Sequence, residues 1–314
     1  GGEGGEGGDA EVRLSDGSAL RAGTVVLALG APGPRRVPPA FAQLPAHLTL
    51  HSEQSERLRE LPKGCRVLVV GGGLTAVQAA QLAMGKGCRV SLVSRRRLVT
   101  RAFDIPVEWF EPRGQGRLRH CFWELPHQER LQQLRATKGG GSVPPMYMEQ
   151  LKASEAAGKV RLVCGEVEEP VAEEGGVSVQ LEGRRQFFDR VILACGHQPD
   201  FTALPLLRGL QEQWPVPEVG GLPVLSKDLQ WGANKQLYVV GALAGLQVGP
   251  DTANLMGCRR AAQVVAESLG LRLWQRTSRP RDGSISIRGN RYAALSDSED
   301  DDGDAGAEAV SARL

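Results

Sequence analysis

The chain has 314 residues, a net charge of +2 at pH 7, and is 41% apolar and 24% charged, enough to bury the core of one large or two smaller domains. The near-neutral charge excludes bulk electrostatic binding of nucleic acid, and no apolar run approaches the roughly 18 residues of a membrane helix. No basic-then-apolar opening predicts a signal peptide, and six cysteines without a CxxC spacing argue against a disulfide framework or a metal site, so a reducing intracellular, cytoplasmic setting is expected.

Glycine is in excess, at 40 residues. The excess has two possible sources, low complexity and tight functional turns, which position along the chain separates. Residues 1–8 hold six glycines and two glutamates and read as a flexible segment. Residues 10–14 and 19–21 flank Ser15-Asp16-Gly17, a hairpin signal. Residues 24–30 form an apolar strand ending in Gly30, followed by a proline-rich crossover. A short helix is predicted over 53–61, a buried strand over 66–70, a helix over 75–84 and a second strand over 89–94. Strand, glycine turn, helix and strand make a βαβ unit and imply a parallel sheet.

Residues 104–150 read differently. They hold Trp109, Phe110, Phe122, Trp123 and Tyr147, and a break at Gly139-Gly140-Gly141. An irregular, partly helical insert is expected, its aromatics forming its own core and its His120 and His127 serving surface or packing roles or, as the alternative, lining a substrate pocket. Strands are predicted over 160–163, 177–181, 187–194 and 237–240, and a helix over 252–269, stopped by Gly270. The pattern dissolves beyond about 276. Residues 296–304 read as an acidic disordered tail. Ser296 and Ser298 precede acidic runs and could be phosphorylated or simply lie in a solubilising tail that offers a protein partner a docking segment. No tandem repeat is evident.

The central motif is Gly71-Gly72-Gly73-Leu74-Thr75-Ala76, a G-x-G-x-x-A between a strand and a helix. Gly71 permits the tight turn, Gly73 lets backbone approach a pyrophosphate, and Ala76 lets helix and strand pack closely. The helix N-terminus offers free N–H groups and a positive dipole end to the phosphates. The second strand ends in Ser94-Arg95-Arg96-Arg97, where an NAD site would place an acid for the ribose hydroxyls. Serine and arginine suit a 2′-phosphate instead, so NADPH is the expected nucleotide.

Residues 24–30 and 190–196 echo each other, both apolar strands ending in small-x-Gly, at Gly30 and Gly196. The pair, with His197-Gln198-Pro199, resembles the matching segments of flavoproteins with two dinucleotide-binding domains, the pyridine nucleotide-disulfide reductase-like fold. Residues 236–242, with Gly241, and then Gly249-Pro250 and Asn254-Leu255 resemble the C-terminal FAD segment of that family, in its flavin monooxygenase and lysine/ornithine N-hydroxylase-like branch. The resemblance covers about residues 10–270. It implies an α/β fold in which a Rossmann-like three-layer NAD(P)-binding domain is inserted in an FAD-binding domain. It also implies FAD as a second cofactor, near Gly30, Gly196, Gly241, Pro250 and Asn254. Many members carry Gly-Asp where this chain has Gly241-Ala242, so one ribityl contact is not expected.

Family members open with their own FAD-binding βαβ well before the first such strand, whereas here that strand lies at 24–30. The FAD-binding domain is therefore expected to be incomplete, and FAD to bind weakly or not at all unless another chain supplies the missing part. The expected organisation is a flexible segment at 1–9, part of the FAD domain at 10–61, the NAD(P)H domain at 62–198 with its insert at 104–150, the rest of the FAD domain at 199–275, and a disordered tail at 276–314. The resemblance implies an FAD-dependent, NADPH-using oxidoreductase acting on a small molecule. Disulfide reduction needs two neighbouring thiols, and no CxxC or CxxxxC pair exists, which favours a monooxygenase over a disulfide reductase. A non-catalytic nucleotide-binding or interaction protein is the rival from another class. Cys195 is expected to be a small packing residue, and no catalytic acid, base or metal ligand is assigned.

Overall fold

The computed structural model describes residues 10–30 and 33–270; the glycine-rich opening at 1–9 and the acidic tail, with Ser296 and Ser298, lie outside them. Strands β1 (Ala10–Arg13) and β2 (Ala19–Ala22) pair antiparallel. Their turn is closed by Asp16, whose Oδ1 accepts from the Ser18 N–H at 2.9 Å and hydroxyl at 2.6 Å, as Asp does in hairpin turns. β3 (Val25–Leu27) is the centre of the strand expected over 24–30. β4 (Thr49–His51) has no signal in the sequence beyond three residues, and α1 (Ser55–Arg59) falls within the predicted helix. β5 (Arg66–Val70), α2 (Leu74–Gly85) and β6 (Arg89–Ser94) form the predicted βαβ unit.

The insert is more regular than expected. After a 3-10 turn at Val107–Trp109 come α3 (Pro112–Glu124), α4 (His127–Lys138) and α5 (Pro145–Ala156). Their sequences hide this because α4 buries only Leu131. A helix with so thin an apolar stripe is held by docking, not by periodicity. Trp109 and Phe122 do form the insert's own core with Ile105, meeting edge to face at 6.3 Å, while Trp123 stays about half exposed.

β7 (Val160–Cys164), β8 (Glu168–Glu173), β9 (Gly176–Leu181), β10 (Arg184–Phe188) and β11 (Arg190–Leu193) follow. The single strand expected over 187–194 is two strands of different sheets. The break is at Asp189, whose carboxylate accepts from the Arg66 N–H at 2.6 Å and whose own N–H donates to the Arg66 carbonyl at 2.8 Å. That clamp moves the chain from the antiparallel meander β10-β9-β8 into the parallel sheet.

The parallel sheet has the order β4-β11-β5-β6-β7. Alternation sorts its side chains. Val67, Val69, Val90, Leu92, Val160 and Ile192 face Ala76, Val77, Ala80 and Ala83 of α2 and Met148 and Leu151 of α5. Leu68, Val93, Val163, Val191 and Leu193 face Val177, Val179, Leu181 and Phe188 of the meander. The result is the expected three-layer α/β arrangement of a Rossmann-like domain, with α5 of the insert completing the helical layer.

A second core lies around a three-stranded sheet. After α6 (Pro205–Gln213), β12 (Glu218–Val219) and β13 (Leu222–Pro223) come β14 (Gln230–Trp231) and β15 (Asn234–Val239). The order is β14-β15-β3, with β15 and β3 parallel. α7 (Gly245–Val248) and α8 (Leu255–Ser268) complete it, and Phe201, Leu207, Trp231, Tyr238, Val239 and Ala261 are buried together. α8 starts later than the expected 252 because Pro250–Ala253 is a 3-10 turn, and Asn254 caps the helix through Oδ1 to the N–H groups of Met256 and Gly257. The insert docks on this core: the Trp123 indole donates to the Gln247 carbonyl at 2.7 Å, and Arg130 donates to the Leu246 carbonyl at 3.0 Å. No helix among the described residues is long and apolar enough to cross a membrane.

Leu68 is fully buried between sheet and meander, whereas Val26 on edge strand β3 is 46% exposed. In urea denaturation Leu68→Ala is expected to cost about 2–5 kcal/mol, and Val26→Ala no more than about 0.5 kcal/mol.

Candidate nucleotide-binding site

β5 and β11 are neighbours in the parallel sheet: the chain leaves β5 for β6 and β7 on one side and returns to β11 on the other. Their carboxyl ends therefore stand at a topological switch point, the position where α/β sheets bind ligands. Gly71 leaves β5 there with φ +156, and its N–H donates to the Val93 carbonyl at 2.9 Å. A Cβ on Gly71 would lie 2.4 Å from the Ala194 carbonyl oxygen at the end of β11. Gly72 faces Ser94, and Gly73 is the N-cap of α2 with extended backbone. Ala76 is 1% exposed against the sheet, as close helix–strand packing requires.

What approaches Gly73 is another part of this chain. A Cβ on Gly73 would meet the Gly141 Cα at 3.2 Å, and one on Gly141 would meet the Gly73 Cα at 2.5 Å. The Leu74 N–H, first of α2, donates to the Ser142 carbonyl at 3.0 Å. The triglycine break thus lies on the glycine turn, placed there by the pairing of Thr100 with Val143 and by the Val143 N–H on the Val99 carbonyl at 2.8 Å. Among the described residues no acceptor engages the N–H groups of Gly72, Gly73 or Thr75, so three backbone donors remain for an anion.

Ser94 is buried, and its hydroxyl donates to the Arg96 carbonyl at 2.7 Å, shaping the turn after β6. Arg95 and Arg96 are exposed. Arg96 reaches across the turn, its Nη2 donating to the Gly141 carbonyl at 3.3 Å. Sequence reasoning placed these three residues together but missed the role of Gly141 and Ser142, for which only the Gly139-Gly140-Gly141 run was a signal.

Gly30, Gly196 and Gly241 end β3, β11 and β15 with φ of +74, +73 and +77, and open space lies where each Cβ would be. Gly30 and Gly241 follow the paired strands β3 and β15, while Gly196 follows β11 of the parallel sheet. Pro250 is buried in its 3-10 turn, and Asn254 is spent on capping α8. Burial pushes the Cys195 thiol up, against the pull of Arg95 and Arg36, and its Sγ lies 3.5 Å from the Val70 carbonyl, as a packing residue's would.

The segment before β4 and the segment after β11 run antiparallel and are stapled. The Arg36 N–H donates to the Gly196 carbonyl and the Gln198 N–H to the Pro34 carbonyl, both at 2.9 Å. Beside them Glu53 Oε2 accepts from Arg35 at 2.8 Å and lies 3.2 Å from His197 Nε2. Buried His51 places Nε2 3.2 Å from the Gly196 carbonyl and Nδ1 3.4 Å from the Glu53 N–H. These contacts fix the neutral ring with its proton on Nε2. The donor atoms of His51, Glu53 and His197 lie within 4.8 Å of one another, but the Arg35 cation and the committed His51 nitrogens make a poor metal site.

Residues 6–110 match the family model described as Pyridine nucleotide-disulphide oxidoreductase. That match covers about a third of the chain. Among solved structures the chain is similar to the ornithine hydroxylase PvdA of Pseudomonas aeruginosa, with TM-score 0.62 and 20% identity over 83% of this chain and 65% of that one. It is similar to the L-lysine 6-monooxygenase of Pseudomonas syringae, with TM-score 0.64 and 22% identity over 83% and 66%. The HOCl-induced flavoprotein disulfide reductase RclA of Escherichia coli shares the fold less fully, with TM-score 0.52 and 18% identity over 82% and 47%. The chain spans about two thirds of the length of the hydroxylases it matches. No curated protein sequence matches it.

Two variants test the site's construction. Gly71→Ala forces a Cβ against the Ala194 carbonyl and is expected to cost about 1–3 kcal/mol in urea denaturation. Burial holds the His51 ring below its ordinary 6.5, with His197 and Arg35 pulling the same way and Glu53 and the Gly196 carbonyl opposing. Below pH 6.5 the unfolded chain therefore takes up a proton at residue 51 that the folded chain refuses, and stability falls with pH. Between about pH 7.5 and about pH 5.5 the fall in melting temperature is expected to be shallower in His51→Gln than in the parent.

Proposed function

We propose that this chain is the nucleotide-handling part of an FAD-dependent, NADPH-using oxidoreductase, most like a flavin monooxygenase. The observation that carries the reading is the glycine turn at the carboxyl edge of a parallel sheet, with unpaired N–H groups on Gly72, Gly73 and Thr75 and two exposed arginines one strand away. The backbone donors would hold the NADPH pyrophosphate, with Gly73 as the cradle, since any Cβ there would fill the space. Arg95 and Arg96 would hold the 2′-phosphate. The same site currently holds Gly141 and the Ser142 carbonyl, so binding requires residues 139–142 to withdraw.

FAD fits one side of the second core. Gly30 and Gly241 leave the ends of β3 and β15 uncovered, and the N-terminus of α8 lies beyond them with Leu255 88% exposed. The described residues contain one glycine-rich βαβ turn, and NADPH takes it. FAD would therefore need a second phosphate-binding turn from elsewhere. When both are bound, NADPH reduces the flavin, which then supplies the chemistry toward oxygen and a small-molecule substrate. The protein's own part is to hold the phosphates, to orient the rings through the stapled segments at 33–36 and 196–198, and to close residues 139–142 over or off the site.

The contact of Gly141 on Gly73 favours one rival, a non-catalytic interaction protein whose nucleotide site is filled by its own chain. Calorimetry of the purified chain with NADPH and NADH separates them. The proposed reading expects NADPH to bind at least tenfold more tightly than NADH, and Arg95→Ala and Arg96→Ala to erase the difference. Equal affinity in the parent would sink the NADPH assignment, and no binding of either nucleotide supports the rival. Gly141→Ala, whose Cβ cannot sit 2.5 Å from the Gly73 Cα, is expected to raise NADPH affinity by dislodging the covering segment.

A further inference from the structure

The pentapeptide Lys-Gly-Cys-Arg-Val occurs twice, at residues 63–67 and 86–90. Each copy is the lead-in to a strand of the parallel sheet, β5 and β6, which pair in register from Arg66 opposite Arg89. Gly64 and Gly87 turn the chain with φ of +72 and +76, so the two lead-ins share a backbone path. They are joined directly, the Gly64 N–H donating to the Lys86 carbonyl at 3.2 Å and the Arg89 N–H to the Cys65 carbonyl at 3.0 Å. Identical sequence, matching turns and parallel register put Cys65 and Cys88 side by side, with their Sγ atoms 3.4 Å apart. The expectation of no disulfide framework did not anticipate this pair. It rested on CxxC-type spacing, whereas strand pairing joins residues 23 apart.

From this we propose that Cys65 and Cys88 are a dithiol site that closes to an intrachain disulfide. The pair lies at the amino edge of the sheet, and the glycine turn lies at the carboxyl edge, five residues of β5 away. It is therefore not a redox centre for a nicotinamide or flavin, and the proposal is independent of the function proposed above. Its oxidant is a small disulfide of the glutathione class. The Cys65 thiol, partly accessible, gives up its proton and attacks one sulfur of the small disulfide, forming a mixed disulfide and releasing one small thiol. Cys88, buried at 4% exposure, then gives up its proton and attacks the Cys65 sulfur, releasing the second small thiol. Two protein thiols are oxidised, one small disulfide is reduced to two thiols, and both protons leave with them.

The surroundings set the rate. Burial and the neighbouring Cys88, with a smaller contribution from Asp189 and against the pull of Arg190, push the Cys65 thiol up to about 12. The Cys88 sulfur also lies 3.3 Å from the Pro62 carbonyl. A thiolate so disfavoured attacks slowly, which distinguishes this pair from a fast peroxide sensor and makes equilibrium the right readout. The bond would enclose the glycine turn and α2 in a covalent loop, removing freedom from the unfolded chain around the nucleotide site.

The test equilibrates the full chain in buffers of oxidised and reduced glutathione, traps free thiols with an alkylating agent, and maps the product. Trypsin is unsuitable, because cleavage at the flanking basic residues releases the same Gly-Cys-Arg tripeptide from both sites. Cleavage at glutamate gives one peptide, residues 61–108, that holds Cys65 and Cys88 and no other cysteine. The expected result is that this peptide loses two hydrogens and both alkyl groups as the buffer becomes oxidising, with no linked peptide dimer. The oxidised chain is expected to melt above the reduced one, a difference that Cys88→Ala abolishes while leaving a stable glutathione adduct on Cys65. A parent peptide that stays doubly alkylated in the oxidising buffer, or stops at the glutathione adduct, overturns the proposal. The mapping is made on the parent, so it stands even where a cysteine variant folds poorly.

Discussion

The structure depends on one close approach of backbone to backbone. Gly71 leaves the central strand β5 with no room for a side chain, against the Ala194 carbonyl of the neighbouring strand. That contact fixes how sharply the chain turns into α2. The turn in turn sets where Gly73 and the N-terminus of α2 stand relative to the carboxyl ends of β5 and β11. Ala76 and Ala80 can then lie flat on Val67 and Val69, because nothing larger would fit between helix and sheet. A βαβ unit built this way fixes its candidate site through the absence of side chains, so the geometry is insensitive to rotamers and sensitive to a single added methyl group.

Around this unit the two cores are joined by few covalent crossings but by several polar clamps. The segments at 33–36 and 196–198 exchange two backbone hydrogen bonds, and Arg35, Glu53, His197 and His51 form a charged and neutral network at their side. The insert adds a second bridge through Trp123 and Arg130 to α7. Deeper in the second core, Asp251 is fully buried, with Arg260 donating at 3.0 Å to Oδ1 and reaching 2.7 Å from Oδ2. Burial still pushes the Asp251 carboxyl up, against the Arg119 cation nearby. A buried ion pair of this kind adds little net stability but penalises any arrangement that separates its members, so it specifies how the turn before α8 is held.

Much of the fold was legible in the sequence because short apolar runs between glycines leave few alternatives. Residues 66–70 and 89–94 are strands at the predicted bounds. The misreadings have identifiable causes. The Phe187–Ala194 run looked continuous because nothing local marks Asp189 as a clamp; its partner, Arg66, is 123 residues away. The helices of the insert carry too few core-facing residues for a period to show. At the site, the G-x-G-x-x-A motif and the following arginines were readable as a unit because they are local. Gly141 and Ser142 were not, since their place on the turn follows from the pairing of 99–101 with 143. The meeting of Cys65 and Cys88 was equally hidden, though the repeated pentapeptide that produces it was in plain view.

Arg96 has a divided allegiance. The guanidinium that a 2′-phosphate would claim already holds the Gly141 carbonyl, and the pyrophosphate cradle already holds Gly141 itself. In the proposed reading nucleotide and segment compete for the same groups, and intrinsic affinity would be multiplied by the fraction of molecules in which the segment has withdrawn. A covered-to-open ratio of about 100 weakens the measured dissociation constant about a hundredfold without altering one contact in the complex. Under that reading, any change that draws residues 139–142 away would restore that factor, and the nucleotide concentration needed for binding would be set as much by the chain's own triglycine loop as by the turn beneath it.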